Sequence, residues 1–195
     1  MSRIGKKPIA LPAGVKVEVQ ERCVSVTGPR GTLKWSHAPG VRVHCERGAS
    51  TLTVERVQDT KRCRALHGTT RALIQNMVVG VTEGYRHSLE IYGTGYSCAV
   101  NGPVLRLMVG YAHPVDLAIP SGIKVEIEVP ATKGNETPAK LHVIGSDRQQ
   151  VGQFSRQIKD VRPPEPYLGK GIRYAGEQIR RKAGKAFAGA GAGGG

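Results

Sequence analysis

The sequence predicts an α+β protein built as a tandem duplication of a small domain, in which each copy holds mostly antiparallel strands and one helix, followed by a basic C-terminal extension. Short stretches of alternating apolar and polar residues, bounded by glycine and proline, are typical of antiparallel strands. Residues 12–19 (PAGVKVEV) and 120–127 (PSGIKVEI) are identical or chemically similar at every position, which indicates an internal repeat. Lysine and arginine concentrate in residues 156–185, which accounts for the predicted basic extension.

The overall charge indicates a polyanionic partner. The 195 residues carry a formal net charge of +14, and such an excess attracts nucleic acid or an anionic membrane surface. No apolar stretch is long enough to cross a membrane, and no apolar segment follows the basic N-terminus as in a signal peptide. We therefore expect a cytoplasmic protein without membrane contact.

The first domain is expected at residues 12–82, behind a basic arm at residues 1–11 that we expect to become ordered on a partner. From Val15 the apolar residues alternate strictly with polar ones, which is the pattern of a half-buried strand. Further strands are predicted at residues 23–26, 32–36, 41–45 and 51–55.

A helix is predicted to complete this first domain. Asp59 or Thr60 can cap its first turn, and Gly80 is the expected C-terminal stop. The stripe expected to pack on the sheet consists of Leu66, Thr69 or Thr70, Leu73 and Met77.

The second domain is expected at residues 83–162. Its strands are predicted at residues 85–92, 96–100, 104–109 and 115–119, before the repeated pattern from residue 120 and an exposed loop at residues 131–138. Ser146 and Gln149 are spaced as a capping box at the start of the second helix. The apolar stripe of that helix is predicted to hold Val151, Phe154, Ile158 and Val161, with Pro163 ending it.

Residues 163–185 form the predicted basic nucleic-acid-binding segment, and residues 186–195 form a Gly/Ala tail with too few side chains to pack. Three prolines hold the backbone extended, and glycines on both sides of Lys170 let the main chain approach a phosphate. The alternative is a solvated basic tail. The candidate contact residues are Arg156, Lys159, Arg162, Tyr167, Gly169, Lys170, Gly171, Arg173, Tyr174, Arg180, Arg181 and Lys182.

Residue types and spacing give no support for catalysis, a cofactor or a metal. Residues 93–95 (GTG) lie between two strands and lack a third glycine, so we expect a hairpin turn or bulge instead of a dinucleotide site. The histidines are scattered, and none adjoins a serine or cysteine in a recognisable nucleophile setting. The four cysteines have no metal-ligand spacing, and we expect reduced, mostly buried thiols. The residues alone therefore predict a two-domain binder of structured nucleic acid, while a DNA-binding architectural protein and an enzyme acting on a phosphate-bearing substrate stay open.

The C-terminal segment also carries a family resemblance. Residues 163–174 (PPEPYLGKGIRY) and 176–186 (GEQIRRKAGKA), together with residues 1–15 (MSRIGKKPIALPAGV), resemble the bacterial-type large-subunit ribosomal protein L6 (uL6) family. The resemblance covers nearly the whole chain, and it departs from the family pattern at Leu168, where a lysine is usual.

The resemblance implies a non-enzymatic structural role in the large ribosomal subunit, in the cytoplasm. It implies contact with ribosomal RNA near the sarcin-ricin loop and the factor-binding side of the stalk base, beside other large-subunit proteins and near translational GTPases. On that basis Lys170, Arg173 and residues 180–182 would hold phosphates, while Tyr167 and Tyr174 would pack on sugar, base or protein. One phosphate contact is expected to be missing at Leu168.

Overall fold

The computed structural model describes residues 3–45, 51–132 and 137–182, and in it the chain divides into two compact units. The first unit comprises Met1–Arg86, Pro120–Lys124 and Ile144–Gln153. The second comprises His87–Ile119, Val125–Val143 and Phe154–Gly195. No helix within the described residues is long and apolar enough to cross a membrane.

Antiparallel strands and one long helix make up the first half of the chain, as predicted. Its elements are β1 (Ile9–Ala10), β2 (Lys16–Gln20), β3 (Cys23–Gly28), β4 (Gly31–Ser36), β5 (Val41–Cys45), β6 (Thr51–Arg56) and α1 (Lys61–Thr82). They form two three-stranded sheets, in the orders β2-β3-β4 and β1-β6-β5. The core consists of apolar residues from both sheets and from α1, with Val24, Val26, Leu52 and Ile74 fully buried.

The buried face of α1 differs from the predicted stripe. Cys63, His67, Thr70, Ile74, Met77, Val78 and Val81 are buried, whereas Leu66 and Leu73 are only half-buried. The polar residue His67 lies on the buried face because its Nε2 hydrogen-bonds to the Val54 carbonyl oxygen at 2.8 Å. The observed buried face is therefore rotated about the helix axis relative to the stripe that hydrophobicity alone predicts.

The ends of α1 confirm one predicted cap and correct the other. The Thr60 hydroxyl accepts a hydrogen bond from the Cys63 amide at 3.2 Å, which makes Thr60 the N-cap. Gly80 does not end the helix, which continues to Thr82; the chain turns at Gly84, where φ is +78°. Gly80 has a packing role instead, because a Cβ there would collide with the carbonyl oxygen of Ser146.

The described part of the N-terminal arm is bound to its own domain, so the prediction that it waits for a partner is wrong for those residues. β1 pairs with β6, and Ile9 is fully buried. The Arg71 guanidinium donates to the carbonyl oxygens of Lys7 and Pro8, at 3.3 and 3.5 Å. Main-chain pairing and one buried side chain are enough to order the arm.

The remaining elements form a three-stranded sheet, a four-stranded sheet and a second helix. They are β7 (Tyr85–Tyr92), β8 (Ser97–Asn101), β9 (Val104–Met108), β10 (Val115–Ala118), β11 (Ile123–Val129), β12 (Ala139–Gly145), α2 (Arg148–Val161) and β13 (Gly171–Tyr174). The sheet orders are β10-β9-β8 and β11-β12-β7-β13. The glycine pair at residues 93–95 is a turn that joins these two sheets, and not a hairpin, because β7 and β8 pair with different strands.

The repeated sequence pattern forms the same local structure in both places. The Val15 amide donates to the Pro12 carbonyl at 3.2 Å, and the Ile123 amide donates to the Pro120 carbonyl at the same distance. The glycine of each turn, at positions 14 and 122, has a φ of +88°. Both turns lead into strands, β2 and β11.

The second helix is capped differently from the prediction. The Ser146 hydroxyl donates to the carbonyl of Arg30, so it forms no capping box with Gln149. Asp147 takes that position, since its Oδ1 accepts from the Gln149 amide at 2.8 Å. The predicted stripe is confirmed: Val151, Phe154 and Ile158 are buried and Val161 is half-buried.

Two expectations fall largely outside the described residues. Residues 133–136 of the predicted loop are not described, while Thr132 donates its hydroxyl to the Gly93 carbonyl at 2.6 Å. The Gly/Ala tail and residues 183–185 of the basic segment lie outside the described residues as well.

Candidate nucleic-acid interface

The basic segment after α2 folds back on the sheet. The Ile172 amide donates to the Arg162 carbonyl and the Glu165 amide donates to the Lys170 carbonyl, each at 2.8 Å. The returning chain forms β13, which pairs antiparallel with β7 and places Ile172 opposite Ile91, both fully buried. The prolines and glycines therefore shape a loop that is anchored at both ends.

Gly171 makes this return possible. Its φ is +133°, and a Cβ there would lie 2.6 Å from the Pro163 carbonyl oxygen and 2.9 Å from that of Arg162. Only glycine accommodates both the torsion and the close approach of two backbone segments. Gly169, at φ +75°, gives the loop a second left-handed position.

Four of the predicted contact cations are engaged within the protein. Lys159 donates to both carboxylate oxygens of Glu177, at 2.6 and 2.7 Å, and its side chain is only 13% exposed. Arg156 pairs with Asp160 at 2.9 Å. The guanidinium carbons of Arg162 and Arg173 lie 5.0 and 3.4 Å from the ring centroids of Tyr111 and Tyr92. Lys159, Arg162 and Arg173 thus join separate segments of the chain, whereas the pair formed by Arg156 lies within α2.

Glu177 accepts hydrogen bonds from two different parts of the chain. Besides binding Lys159, its Oε2 accepts a hydrogen bond from the Tyr174 amide at 3.0 Å. The hydrogen bond from Lys159 is the main cause that lowers the pKa of Glu177 below its ordinary value, and the Tyr174 amide adds to it. The carboxylate thus stays charged at neutral pH and secures the end of β13.

The remaining predicted cations are available to a ligand. Arg180, Arg181 and Lys182 are exposed and Lys170 is half-buried. Within residues 3–45, 51–132 and 137–182, none of these four forms an ion pair with a carboxylate. The main chain keeps the last three near the loop, since the Lys182 amide donates to the Pro166 carbonyl at 2.9 Å. We call Lys170, Arg180, Arg181 and Lys182 the unpaired cations.

The two predicted stacking tyrosines differ in environment. Tyr167 is 55% exposed at the tip of the loop, beside Leu168, which is 64% exposed. Tyr174 is half-buried, packs edge-on against His87 at 6.0 Å, and has the Lys159 ammonium 4.9 Å from its ring centroid. Tyr167 is therefore free to stack on a ligand, whereas Tyr174 packs within the protein.

A groove adjoins the unpaired cations. It has a volume of about 370 Å³ and is lined by Tyr92, Gly93, Thr94, Leu168, Lys170 and Arg181. Tyr92 ends β7, Gly93 and Thr94 follow it in the turn, and none of the three was among the predicted site residues. No local signal identifies them, because they reach the loop only through the pairing of β7 with β13.

A hydrogen-bonded line of three polar side chains crosses the four-stranded sheet, and the sequence did not predict it. The His142 ring hydrogen-bonds through Nδ1 to the Ser88 hydroxyl at 2.9 Å and through Nε2 to the Glu128 carboxylate at 3.0 Å. The three residues lie on β12, β7 and β11. His142 is buried, and both of its ring nitrogens have a partner, as is usual for buried polar atoms. The line therefore stabilises the sheet.

The cysteines and metal-binding side chains form no centre in the described residues. No disulfide joins the four cysteines, all of which lie in the described residues; Cys63 and Cys98 are buried, Cys45 is half-buried and Cys23 is exposed, so the expectation of mostly buried thiols holds for only two. Burial raises the pKa of Cys98 to about 11, which keeps this thiol protonated and unreactive. Within the described parts of the chain, no three His, Cys, Asp or Glu side chains are arranged to hold a metal ion.

A cluster of exposed basic side chains that lack carboxylate partners is typical of the surfaces with which proteins bind nucleic acid. The family model described as Ribosomal protein L6 matches residues 11–84 and 92–175. The chain therefore belongs to the ribosomal protein L6 family, whose members are structural, non-enzymatic components of the ribosome.

Similar proteins span the whole chain. "Large ribosomal subunit protein uL6" of Thermomicrobium roseum is 51% identical over 186 residues, which cover 95% of this chain and 96% of that protein. The proteins of the same name from Synechococcus sp. (strain JA-3-3Ab) and Carboxydothermus hydrogenoformans are 49% and 50% identical, with 95% of this chain covered in each case and 97% and 96% of the relative.

Proposed function

We propose that this chain binds large-subunit ribosomal RNA near the sarcin-ricin loop and the factor-binding region at the stalk base, through its C-terminal basic segment. As a member of its family, the chain is a structural component of the large ribosomal subunit and supports translation without catalysing a reaction. Its proposed neighbours are other large-subunit proteins at the stalk base, with translational GTPases docking nearby.

The observation that carries the proposal is the set of unpaired cations, of which Lys170 lies on a loop fixed to the sheet and the other three lie beside that loop. A loop held by β13, by Gly171 and by Glu177 presents its charges in a defined arrangement, so less ordering entropy is lost on binding than for a free tail. Phosphates that lie along an RNA helix are themselves held in a regular arrangement.

The structure also changes the role that we propose for individual residues. Lys170, Arg180, Arg181 and Lys182 would contact phosphates directly, and Tyr167 would pack on a sugar or base. Lys159, Arg162, Arg173 and Tyr174 would act indirectly, since their side chains join α2 and β13 to other segments. Arg156 is exposed and paired only within α2, so it stays a proposed contact of the RNA. Gly169 and Gly171 would shape the loop.

The duplication of domains at residues 12–82 and 83–162 is part of the proposal. It is supported by the two identical turns at Pro12 and Pro120 and by the match of the family model in two stretches of similar length. One copy would then have kept the fold while the other acquired the RNA-binding segment.

The test compares two triple variants with equal loss of charge. The full chain is bound to an rRNA fragment that contains the sarcin-ricin loop, over a series of salt concentrations. For R180A/R181A/K182A we expect weaker binding and a fall of about 2 in the slope of log K against log salt, because each phosphate contact contributes roughly 0.7 to 0.9. K16A/K34A/R42A removes three exposed cations from β2, β4 and β5 and should leave the slope nearly unchanged. An equal fall for both variants would contradict the proposed interface.

A further inference from the structure

The groove beside the unpaired cations combines two kinds of surface. Tyr92 and Leu168 provide an aromatic ring and an exposed apolar side chain, while Lys170 and Arg181 provide positive charge. The Arg181 guanidinium is close to Gly169, only 3.2 Å from the point where a Cβ on that glycine would lie. Apolar and cationic side chains that line one groove match a ligand with one apolar and one anionic end.

The size of the groove limits that ligand. Its volume of about 370 Å³ is near the lower end of the range of roughly 300 to 1,000 Å³ in which protein pockets hold single small molecules. A base pair within a helix cannot enter such a space, because it is stacked on both faces and joined to its partner strand. One nucleotide turned out of its stack can enter, since its base is apolar on both faces and its phosphate is anionic.

The aromatic wall of the groove is held in one position before any ligand arrives. The Arg173 guanidinium covers the Tyr92 ring at 3.4 Å, and the Tyr92 hydroxyl donates to the Glu90 carboxylate at 2.9 Å. Glu90 and Arg173 face each other in the register of β7 and β13. Burial and this hydrogen bond raise the pKa of Tyr92, so the phenol stays neutral. A fixed, neutral ring is suited to contact with a base.

Leu168 gives the groove an exposed apolar surface, which a lysine at this position would not provide. Its amide donates to a Glu165 carboxylate oxygen at 3.3 Å, which fixes the turn that carries the side chain. The exposed leucine offers no charge to a phosphate, but it offers an apolar surface on which a base can pack.

We infer that the groove formed by Tyr92, Gly93, Thr94, Leu168, Lys170 and Arg181 holds one unpaired nucleotide of the bound RNA, with its base against Leu168 and Tyr92 and its phosphate between Lys170 and Arg181. The inference rests on the proposed function, because it presumes that the basic segment binds RNA. It adds a preference for RNA with an unpaired nucleotide over a continuous duplex.

Fluorescence anisotropy with the full chain and two labelled RNA hairpins tests this preference. One hairpin carries a single bulged adenosine in its stem, and the other has the same stem fully paired. We expect the bulged hairpin to bind about tenfold more tightly, since packing one base on protein side chains commonly contributes a factor of this order. L168A should remove most of that preference and leave the affinity for the paired hairpin within about twofold.

M108A is the matched control, because Met108 is a similarly exposed apolar residue, at 54%, on β9. This variant should keep the preference for the bulged hairpin. If the wild-type chain shows no preference, or if L168A and M108A behave alike, the inference is overturned. If the inference fails in this way but the chain binds the sarcin-ricin fragment with the expected salt slope, the proposed function still stands. If the chain binds no RNA at all, the inference and the proposed function are both overturned.

Discussion

Individual side chains determine whether the basic segment is a fixed surface or a loose tail, and Glu177 is one of those that fix it. Its carboxylate joins Lys159 on α2 to the main chain of Tyr174 on β13. Because Lys159 is 13% and Glu177 31% exposed, water screens this contact less than it screens a surface ion pair.

We expect E177Q to lower the free energy of unfolding at neutral pH by about 1 to 2 kcal/mol, the range typical of a hydrogen-bonded charged group with partial exposure. The folded-state pKa of Glu177 lies below its ordinary 4.5. The contribution of this carboxylate is therefore complete above that ordinary value and is lost as the pH falls through the lower folded pKa.

Urea denaturation at neutral pH and at acidic pH measures this difference. The gap between wild type and E177Q should be widest at neutral pH and should close in acid. E18Q, which alters an exposed carboxylate on β2, is the control and should show little effect at either pH. A gap that grows in acid would contradict the assigned role of Glu177.

Among the elements, β13 could not be predicted from the sequence, whereas several other elements could. The alternation of β2 and β11 and the stripe of α2 are local patterns, so their positions were predictable from neighbouring residues. β13 has only four residues, too few for a reliable period, and its partner β7 lies far upstream. Pairing over such a distance depends on the tertiary fold and leaves no local signal.

The errors within α1 and α2 have similar causes. His67 is buried because a carbonyl of β6 accepts its hydrogen bond, and Ser146 is unavailable as a cap because it bonds to Arg30. Residue types likewise predicted the cations of the site, but not which would be paired. Whether Lys159 meets Glu177 or a phosphate depends on the return of the chain along β13.

We expect G171A to destabilise the protein by about 2 to 4 kcal/mol. A Cβ at this position would press on the backbone atoms of Pro163 and Pro164 at 2.6 and 2.7 Å, which cannot turn aside as a side chain can, and φ is +133°. G95A is the matched control, because Gly95 also has a positive φ, of +77°, but has open space around it; it should cost about 1 kcal/mol.

Chemical denaturation of the two variants provides the comparison. Equal losses for G171A and G95A would show that the close approach of the loop to β13 is not a constraint. A larger loss for G171A, accompanied by weaker binding to RNA, would link the anchoring of the loop to its proposed contact surface.

For the molecule as a whole, the net charge indicates a polyanionic partner, and the fold determines which of the positive charges are exposed to that partner. Many of the cations behind the +14 charge are concentrated in the C-terminal segment, and its fold neutralises or covers several of them and leaves others exposed. Membership in the ribosomal protein L6 family agrees with an anchored cationic loop.

Sedimentation of a cell lysate through a sucrose gradient, before and after a high-salt wash, tests the central claim most directly. Wild-type protein is expected in the large-subunit peak in both gradients, because a fixed loop makes several contacts at once, whereas R180A/R181A/K182A should leave that peak after the wash. If wild-type protein ran only at the top of the gradient, or if the triple variant withstood the wash as well as wild type, the claim that this segment anchors the protein in the large subunit would be contradicted.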